Sequence, residues 1–302
     1  MRLYILLQVI LLSISAIGNA SESGKLHLER ELSDYISSID ARIGVAVITD
    51  SNDTISVNGN RDFPMFSVCK FPQAIAVADY CRRNKINLSD SINVYASDLK
   101  EDTWSPLRDK YEAADMQMTL IDLLAYSLQQ SDNNACDILF RITGGTVATD
   151  SVMKALGCND ITIAATEDDM HRDMYLSYLN RATPLDMARL LELFNKTLIH
   201  ESPEYKSIAD IMESCATGTD RLAKPLLPLK AIIRHKTGTG FTNTQGRIMG
   251  INDVGYVIMP DGHSYSIAVF VTDSAYESTE TSQIIAEISQ IVATGITELQ
   301  AP

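Results

Sequence analysis

The stretch Arg42-Ile43-Gly44-Val45-Ala46-Val47-Ile48-Thr49 alternates around Ile43, Val45 and Val47, the two-residue period of a β-strand. Residues 53–57, Asp-Thr-Ile-Ser-Val, supply a hairpin partner, with Ser51-Asn52 as turn material. Strand character then disappears for most of the chain. It returns at residues 231–233, 255–259 and 265–272, with Pro260-Asp261-Gly262-His263 turning between the last two. The intervening chain carries helix signals. Thr119 followed by Asp122 is a capping pattern before Leu123-Leu124, and residues 134–142 hold apolar positions at helical spacing up to Gly144-Gly145. Thr183-Pro184-Leu185-Asp186 and Ser202-Pro203-Glu204 each offer a cap, a proline at the first helical position and an acidic first turn. Residues 279–296 read as a terminal amphipathic helix. Strands at both ends and helices between them predict one antiparallel sheet built from the two ends, with a helical lobe inserted. A site at the seam would draw residues from both.

The start of the chain carries a different signal. Met1-Arg2 is a short basic segment, Leu3 to Ile17 is almost wholly apolar, and Gly18-Asn19-Ala20 provides small residues at a cut. This predicts a cleaved secretory signal peptide over residues 1–20 rather than an anchor, because a span needs ~20 apolar residues. No cysteine follows the apolar run, so lipoprotein attachment has no site and no stable membrane anchor is expected after cleavage. Cleavage removes Arg2 and takes the net charge from −14 to −15. Such an acidic chain is a poor partner for nucleic acid or an anionic membrane. The five cysteines, Cys69, Cys81, Cys136, Cys158 and Cys215, are widely spaced with no CxxC, and the odd count leaves at least one thiol free. The five histidines form no ligand cluster. Neither metal nor cofactor is expected.

Three short groups could carry chemistry. Ser67 and Lys70 in Phe66-Ser-Val-Cys-Lys-Phe-Pro72 are three apart, so on a helix a hydroxyl meets an amine able to take its proton. Cys69 is the stronger nucleophile in isolation, but it sits two positions beyond Ser67 and is expected in the core. Pro72 implies either an irregular first turn or a bend after the lysine, since a helix beginning at Val68 would need its missing N–H. Ser131-Asp132-Asn133 follows one helix and opens the next. It is ordinary capping material that can also relay a proton and hold an amide. Lys236-Thr237-Gly238-Thr239-Gly240 ends a predicted strand. Its lysine and threonine suit a carboxylate, and its glycines allow close backbone approach. Each group alone has a bland structural reading.

In this order, the three groups resemble the signature set of the active-site serine β-lactamases and penicillin-binding proteins. Thr166-Glu167-Asp168-Asp169-Met170-His171 places Glu167 where class A β-lactamases carry the glutamate that activates water, and Trp104-Ser105-Pro106 is similar to the family's aromatic gate. The resemblance covers nearly the whole mature chain. It implies an α/β (α+β) fold: a five-stranded antiparallel sheet from both chain ends, flanked by helices, with an inserted all-helical lobe. The α/β domain would span 21–63 and 214–302, and the helical domain 64–213. It implies a catalytic set of Ser67, Lys70, Ser131 and Glu167. The substrate-binding set would be Asn133, Lys236, Thr237, Gly238, Thr239, Trp104, Arg221 and His171. It further implies a hydrolytic water, a small β-lactam substrate and a monomer in the periplasm.

Three departures matter. The loop reads Glu-x-x-Met-His where the family has Glu-x-x-Leu-Asn, which resembles a branch active on cephalosporins and leaves His171 either beside the water or merely structural. The family's arginine–aspartate clamp on this loop is missing, with Ala165 and Asn180 in its place, so the loop is expected to be tied differently. Gln245 stands where many relatives carry an arginine, leaving Arg221 or Arg247 to supply that charge. A cell-wall peptidase or a non-hydrolysing β-lactam sensor shares the nucleophile. Glu167 favours the hydrolase.

Overall fold

The computed structural model describes residues 22–299 except residue 113, so the predicted signal peptide over 1–20 lies outside the described residues. A helix through residues 22–37 (α1) leads into β1 (Arg42–Thr49), β2 (Thr54–Val57) and the short β3 (Phe63–Pro64). The insert follows. It runs α2 (Lys70–Asn84), β4 (Ser91–Val94), α3 (Pro106–Tyr111), β5 (Met116–Thr119), α4 (Leu120–Gln129), α5 (Asn133–Thr143) and α6 (Gly145–Ala155). It continues through β6 (Ile161–Thr162), α7 (Glu167–Arg172), β7 (Arg181–Ala182), α8 (Pro184–Lys196) and α9 (Pro203–Glu213). The chain returns through α10 (Ala223–Leu226), β8 (Ile232–Thr239), β9 (Ile251–Ile258) and β10 (Ser264–Thr272) to α11 (Ser278–Leu299). Among the described residues, no helix is long and apolar enough to cross a membrane.

The main sheet is five-stranded and antiparallel, in the order β2-β1-β10-β9-β8. β1 pairs directly with β10, Val45 opposite Val269, so the two ends of the chain meet at the sheet centre as the alternation of residues 42–49 predicts. Alternation then divides the core. Val45, Val47, Ile267 and Val269 pack against Leu28 and Leu32 of α1 and Ile285 and Ile288 of α11. Ala46, Ile48, Ala268 and Phe270 face Met187, Leu190 and Phe194 of α8, in a core continuous with the helical insert. Each such fully buried Leu, Ile or Phe contributes roughly 1.5–3 kcal/mol. The insert is therefore not a separate globule: α8 lies on the sheet, and Phe63 from the sheet side stacks on Phe270 at 5.9 Å.

Several boundaries differ from expectation for physical reasons. β8 runs through Lys236-Thr237-Gly238-Thr239 rather than stopping at residue 233, because the backbone of these residues pairs with β9 from Ile232↔Ile258 to Thr239↔Ile251. β9 begins at Ile251, four residues early, since its polar Asn252 and Asp253 are buried in the sheet and not in a loop. Thr119 and Thr183 cap α4 and α8 as expected, whereas Ser202 opens α9 with no side-chain cap bond. Pro72 is accommodated by the irregular-turn alternative. Residues Phe66–Cys69 form a 3₁₀ turn and α2 begins at Lys70, so Pro72 occupies the first α-helical turn, where its missing N–H costs no helical bond.

One buried amide fastens the sheet to this turn. Asn252 Nδ2 donates to Pro64 O at 2.9 Å and Met65 O at 3.1 Å, while its Oδ1 accepts from Val271 N at 3.2 Å. Asn252→Ala leaves these groups without those partners in a dry site. We expect it to lower unfolding free energy by about 3 kcal/mol, measured as the urea midpoint at unchanged slope.

Candidate active site

The 3₁₀ turn Phe66–Cys69 delivers Ser67 to the seam between sheet and insert. Phe66 itself has a left-handed backbone (φ 48°), an uncommon state for an aromatic residue. Its ring fills the space that side chains at Gly240 and Gly250 would need. Gly238 has a similar cause: a Cβ there would lie 2.4 Å from Met65 O. The glycine expected to admit a ligand is thus also required by the protein's own backbone.

Lys70, fully buried at the head of α2, joins three segments. Its Nζ lies 2.7 Å from Ser67 Oγ, 2.7 Å from Asn133 Oδ1, 3.1 Å from Ser131 O and 2.7 Å from Glu167 Oε1. Burial works against its charge, but the Glu167 carboxylate outweighs that and holds its pKa above the ordinary lysine value. Lys70 is therefore an ammonium at rest. Ser67 Oγ lies 3.5 Å from Glu167 Oε1.

A second lysine approaches from the sheet. Lys236 Nζ donates to Ser131 Oγ at 3.0 Å and to Thr237 O at 2.8 Å. Burial, with Lys70 nearby, pushes it down to about 8. Ser131 receives both lysines, one on its carbonyl and one on its hydroxyl, and holds a left-handed φ of 58° to do so. Strain of this kind persists where the surroundings over-determine it. Asp132 is buried as the N-cap of α5, accepting from Ala135 N and Leu107 N, so the capping reading holds while Ser131 and Asn133 on either side meet the two lysines.

Glu167 opens α7, whose N-cap Thr166 forms a capping box with Asp169. Asp137, which sequence reasoning missed, accepts from Glu167 N and Asp168 N at 2.8 Å each. Burial, with Glu167 adding repulsion, pushes Asp137 up to about 7. Its signal was available: it stands one helical turn after Asn133 on the same face. The loop is tied differently, as expected, through Asn180. Its Oδ1 accepts from Ala164 N and Ala165 N at 2.8 and 2.9 Å, and its Nδ2 donates to Ala165 O at 2.8 Å.

A cleft of about 520 Å³ opens over Ser67, walled by Trp104, Asn133, Glu167, His171, Thr239 and Phe241. Trp104 is 62% exposed, with Nε1 donating to Gln130 O. His171 is exposed on the wall, while Met170 beside it is buried. Thr237 Oγ1 lies 2.6 Å from Thr217 Oγ1. Arg221 is buried, giving Nη1 to Gly238 O and Asn252 O and Nη2 to Thr239 Oγ1 at 2.7 Å, so its charge reaches the cleft through Thr239. Arg247, the other candidate, pairs with Asp40 at 2.6 Å and does not line the cleft. Cys69 and Cys136 are buried beneath the site.

If Asp137 anchors the loop, Asp137→Ala should speed amide exchange across residues 166–172 by at least tenfold while α2 stays protected. Hydrogen-exchange mass spectrometry reads this, and unchanged protection at Glu167 and Asp168 would refute the anchoring.

A nucleophile, two buried lysines, a relay serine and a loop-borne carboxylate, so placed, suit acyl transfer to water. Comparison with known proteins agrees. The model of the β-lactamase enzyme family matches residues 27–296. A β-lactamase of Bacteroides uniformis is 37% identical over 266 residues, covering 88% of this chain and 90% of its own. The extended-spectrum β-lactamase PER-1 of Pseudomonas aeruginosa is 31% identical over 284 residues, covering 93% and 91%. A solved class A β-lactamase from Bacteroides cellulosilyticus superposes with a TM-score of 0.86 at 36% identity, covering 91% of this chain and 99% of that one. With a family match over most of its length and relatives over nearly all of it, the chain belongs to the class A β-lactamases, hydrolases of the β-lactam amide bond.

Proposed function

We propose that this chain is a secreted, periplasmic, monomeric class A β-lactamase that favours cephalosporins. Ser67 attacks the lactam carbonyl, and the N–H groups of Ser67 and Thr239 receive the developing oxyanion. Loss of one such donor costs about 2.7–4 kcal/mol of barrier stabilisation. Because Lys70 is already an ammonium, Glu167 takes the Ser67 proton, directly or through water, while Lys70 stabilises the charge. Ser131, held by Lys236, passes a proton to the departing nitrogen. Asn133 and the Trp104 wall hold the side-chain amide. Lys236, Thr237, Gly238 and Thr239, with Arg221 behind Thr239, receive the substrate carboxylate. Glu167 then activates the water that releases the acyl group, with His171 at the edge of that water's space.

The observation that carries this reading is Glu167, set 2.7 Å from Lys70 Nζ and 3.5 Å from Ser67 Oγ. A peptidase or sensor built on the same nucleophile has no use for a carboxylate there. The cephalosporin preference is supported by the roomy cleft, by the Met170-His171 loop, and by similarity to a relative named for an extended spectrum.

Turnover of a chromogenic cephalosporin tests the reading. Ser67→Ala should lower it at least 10³-fold with no covalent adduct. Glu167→Ala should accumulate an acyl-enzyme, visible by intact mass, with release slowed at least 10²-fold. Stoichiometric acylation without turnover in the unaltered protein would sink the hydrolase mechanism, and a higher kcat/KM for benzylpenicillin would sink the preference.

The pH profile tests Lys236. Its depressed pKa means the cation is lost as pH rises through about 8, so kcat/KM for an anionic substrate should fall above that point. A flat profile to pH 9.5 would overturn the loss of the Lys236 charge near pH 8.

A further inference from the structure

Residues 101–104 line the cleft, yet their stretch has little backbone order of its own. Among the described residues, the backbone of residues 100–104 makes one hydrogen bond to other backbone, Trp104 O accepting from Asn133 N at 3.0 Å. Side chains tie the rest. Arg108, on the short helix α3, points its Nη1 at three carbonyls: Lys100 O at 2.7 Å, Glu101 O at 2.6 Å and Thr103 O at 2.9 Å. Asn134 holds the first residue from the other side, its Nδ2 donating to Lys100 O and its Oδ1 accepting from Lys100 N, each at 3.1 Å. Asp109 Oδ1 accepts from Arg108 Nε at 3.0 Å and Nη2 at 2.6 Å, which fixes the other edge of the guanidinium. The main chain is anchored too: Arg108 N donates to Ser105 Oγ at 3.2 Å, and Ser105 donates to the buried Asp132 carboxylate.

Three carbonyl dipoles aimed at one point repel one another unless a cation stands there, and bonds from a charged donor are roughly twice as strong as neutral ones. Without Arg108 this turn has reason to open. Its opening would reach the substrate side. Asn133 Oδ1 accepts from Lys70 Nζ at 2.7 Å, and Asn133 Nδ2 donates to Thr103 Oγ1 at 2.8 Å. The amide has two Nδ2 protons. Thr103 takes one, which leaves the other for the cleft that Asn133 lines. Drift of residues 100–104 would therefore release the Asn133 amide and the Trp104 wall together. Misplacing a positioning group by about 1 Å can cost roughly 10²-fold in rate.

We propose that Arg108 is a positioning residue for substrate selection: by gathering the carbonyls of residues 100, 101 and 103, it holds Thr103 against Asn133 and Trp104 at the cleft wall, favouring β-lactams that carry a side-chain amide. Arg108 does not itself line the cleft and acts only through these neighbours. The effect on selection rests on the proposed reading that Asn133 holds the substrate's side-chain amide. The hold on residues 100–104 does not.

Trp104 is the single tryptophan of the chain, so time-resolved fluorescence anisotropy of the full chain reads the wall directly. In Arg108→Ala the amplitude of nanosecond depolarisation should grow by roughly twofold or more, and Arg108→Lys, which keeps the charge without the planar fork, should fall between that variant and the unaltered protein. For turnover, cephalothin, which carries a side-chain amide, is compared with its parent nucleus, which has a free amine in that place. Arg108→Ala should lower kcat/KM for cephalothin about tenfold, chiefly by raising KM, and change it less than about twofold for the parent nucleus. An equal fall on both substrates reports a general structural defect and overturns the proposal, as does unchanged anisotropy. Arg108→Gln, which keeps the apolar stem but not the charge, carries the same expectations and decides if the alanine variant does not fold. Absence of β-lactam turnover in the unaltered protein would instead fault the catalytic reading, and the anisotropy would still decide the hold on residues 100–104.

Discussion

The buried ammonium of Lys70 organises this molecule. Desolvating such an ion costs several kcal/mol unless every proton has a partner. Lys70 meets that demand by drawing oxygen atoms from three separated places: Ser67, the Ser131–Asn133 turn and Glu167. Each must be held where it is by something else. Ser67 is held by the turn packed under β8, Ser131 by its left-handed backbone and the capped start of α5, and Glu167 by Asp137 and the Asn180 staple. Removing the lysine would leave a buried carboxylate without its counter-charge, so the site's electrostatics and the lobe packing are one problem.

The sheet contributes by close approach. The carbonyl of Met65 leaves Gly238 no room for a Cβ, the Phe66 ring leaves none at Gly240 and Gly250, and Asn252 stitches the turn's carbonyls to the sheet. A rigid strand edge is then presented to the cleft with Lys236 on one face and the His235–Asp253 pair on the other. Three cationic groups, Lys70, Lys236 and Arg221, are buried within this small region, and each is steadied by a different kind of partner: a carboxylate, a hydroxyl and carbonyl, or a set of carbonyls and hydroxyls. The field they create favours an anion at Thr239, where Arg221 delivers its charge indirectly.

The division between sequence and structure follows the range of each interaction. The alternation of residues 42–49, the proline and threonine helix starts and the three short motifs are local patterns, and local sterics and hydrogen bonding make them readable. They were enough to predict a sheet closed by both chain ends, an inserted helical region and the groups that gather at its seam. The strand extents at β8 and β9 were not readable, because buried polar residues pair there for reasons that lie on neighbouring strands. Asp137, Asn180 and Thr217 act through partners 15 to 31 residues away, so a local pattern can mark their positions but not those partners.

By itself, the sequence determined which side chains could react and which elements would carry them, since motif spacing and periodicity are set by the geometry of single helices and strands. Only the tertiary structure decided their states. It raised Lys70 above and lowered Lys236 below the ordinary lysine value, buried Arg221 behind Thr239 and paired Arg247 with Asp40. Charge and proton position depend on burial and on what stands within a few ångströms, and those distances exist only once the two ends of the chain have closed around its middle.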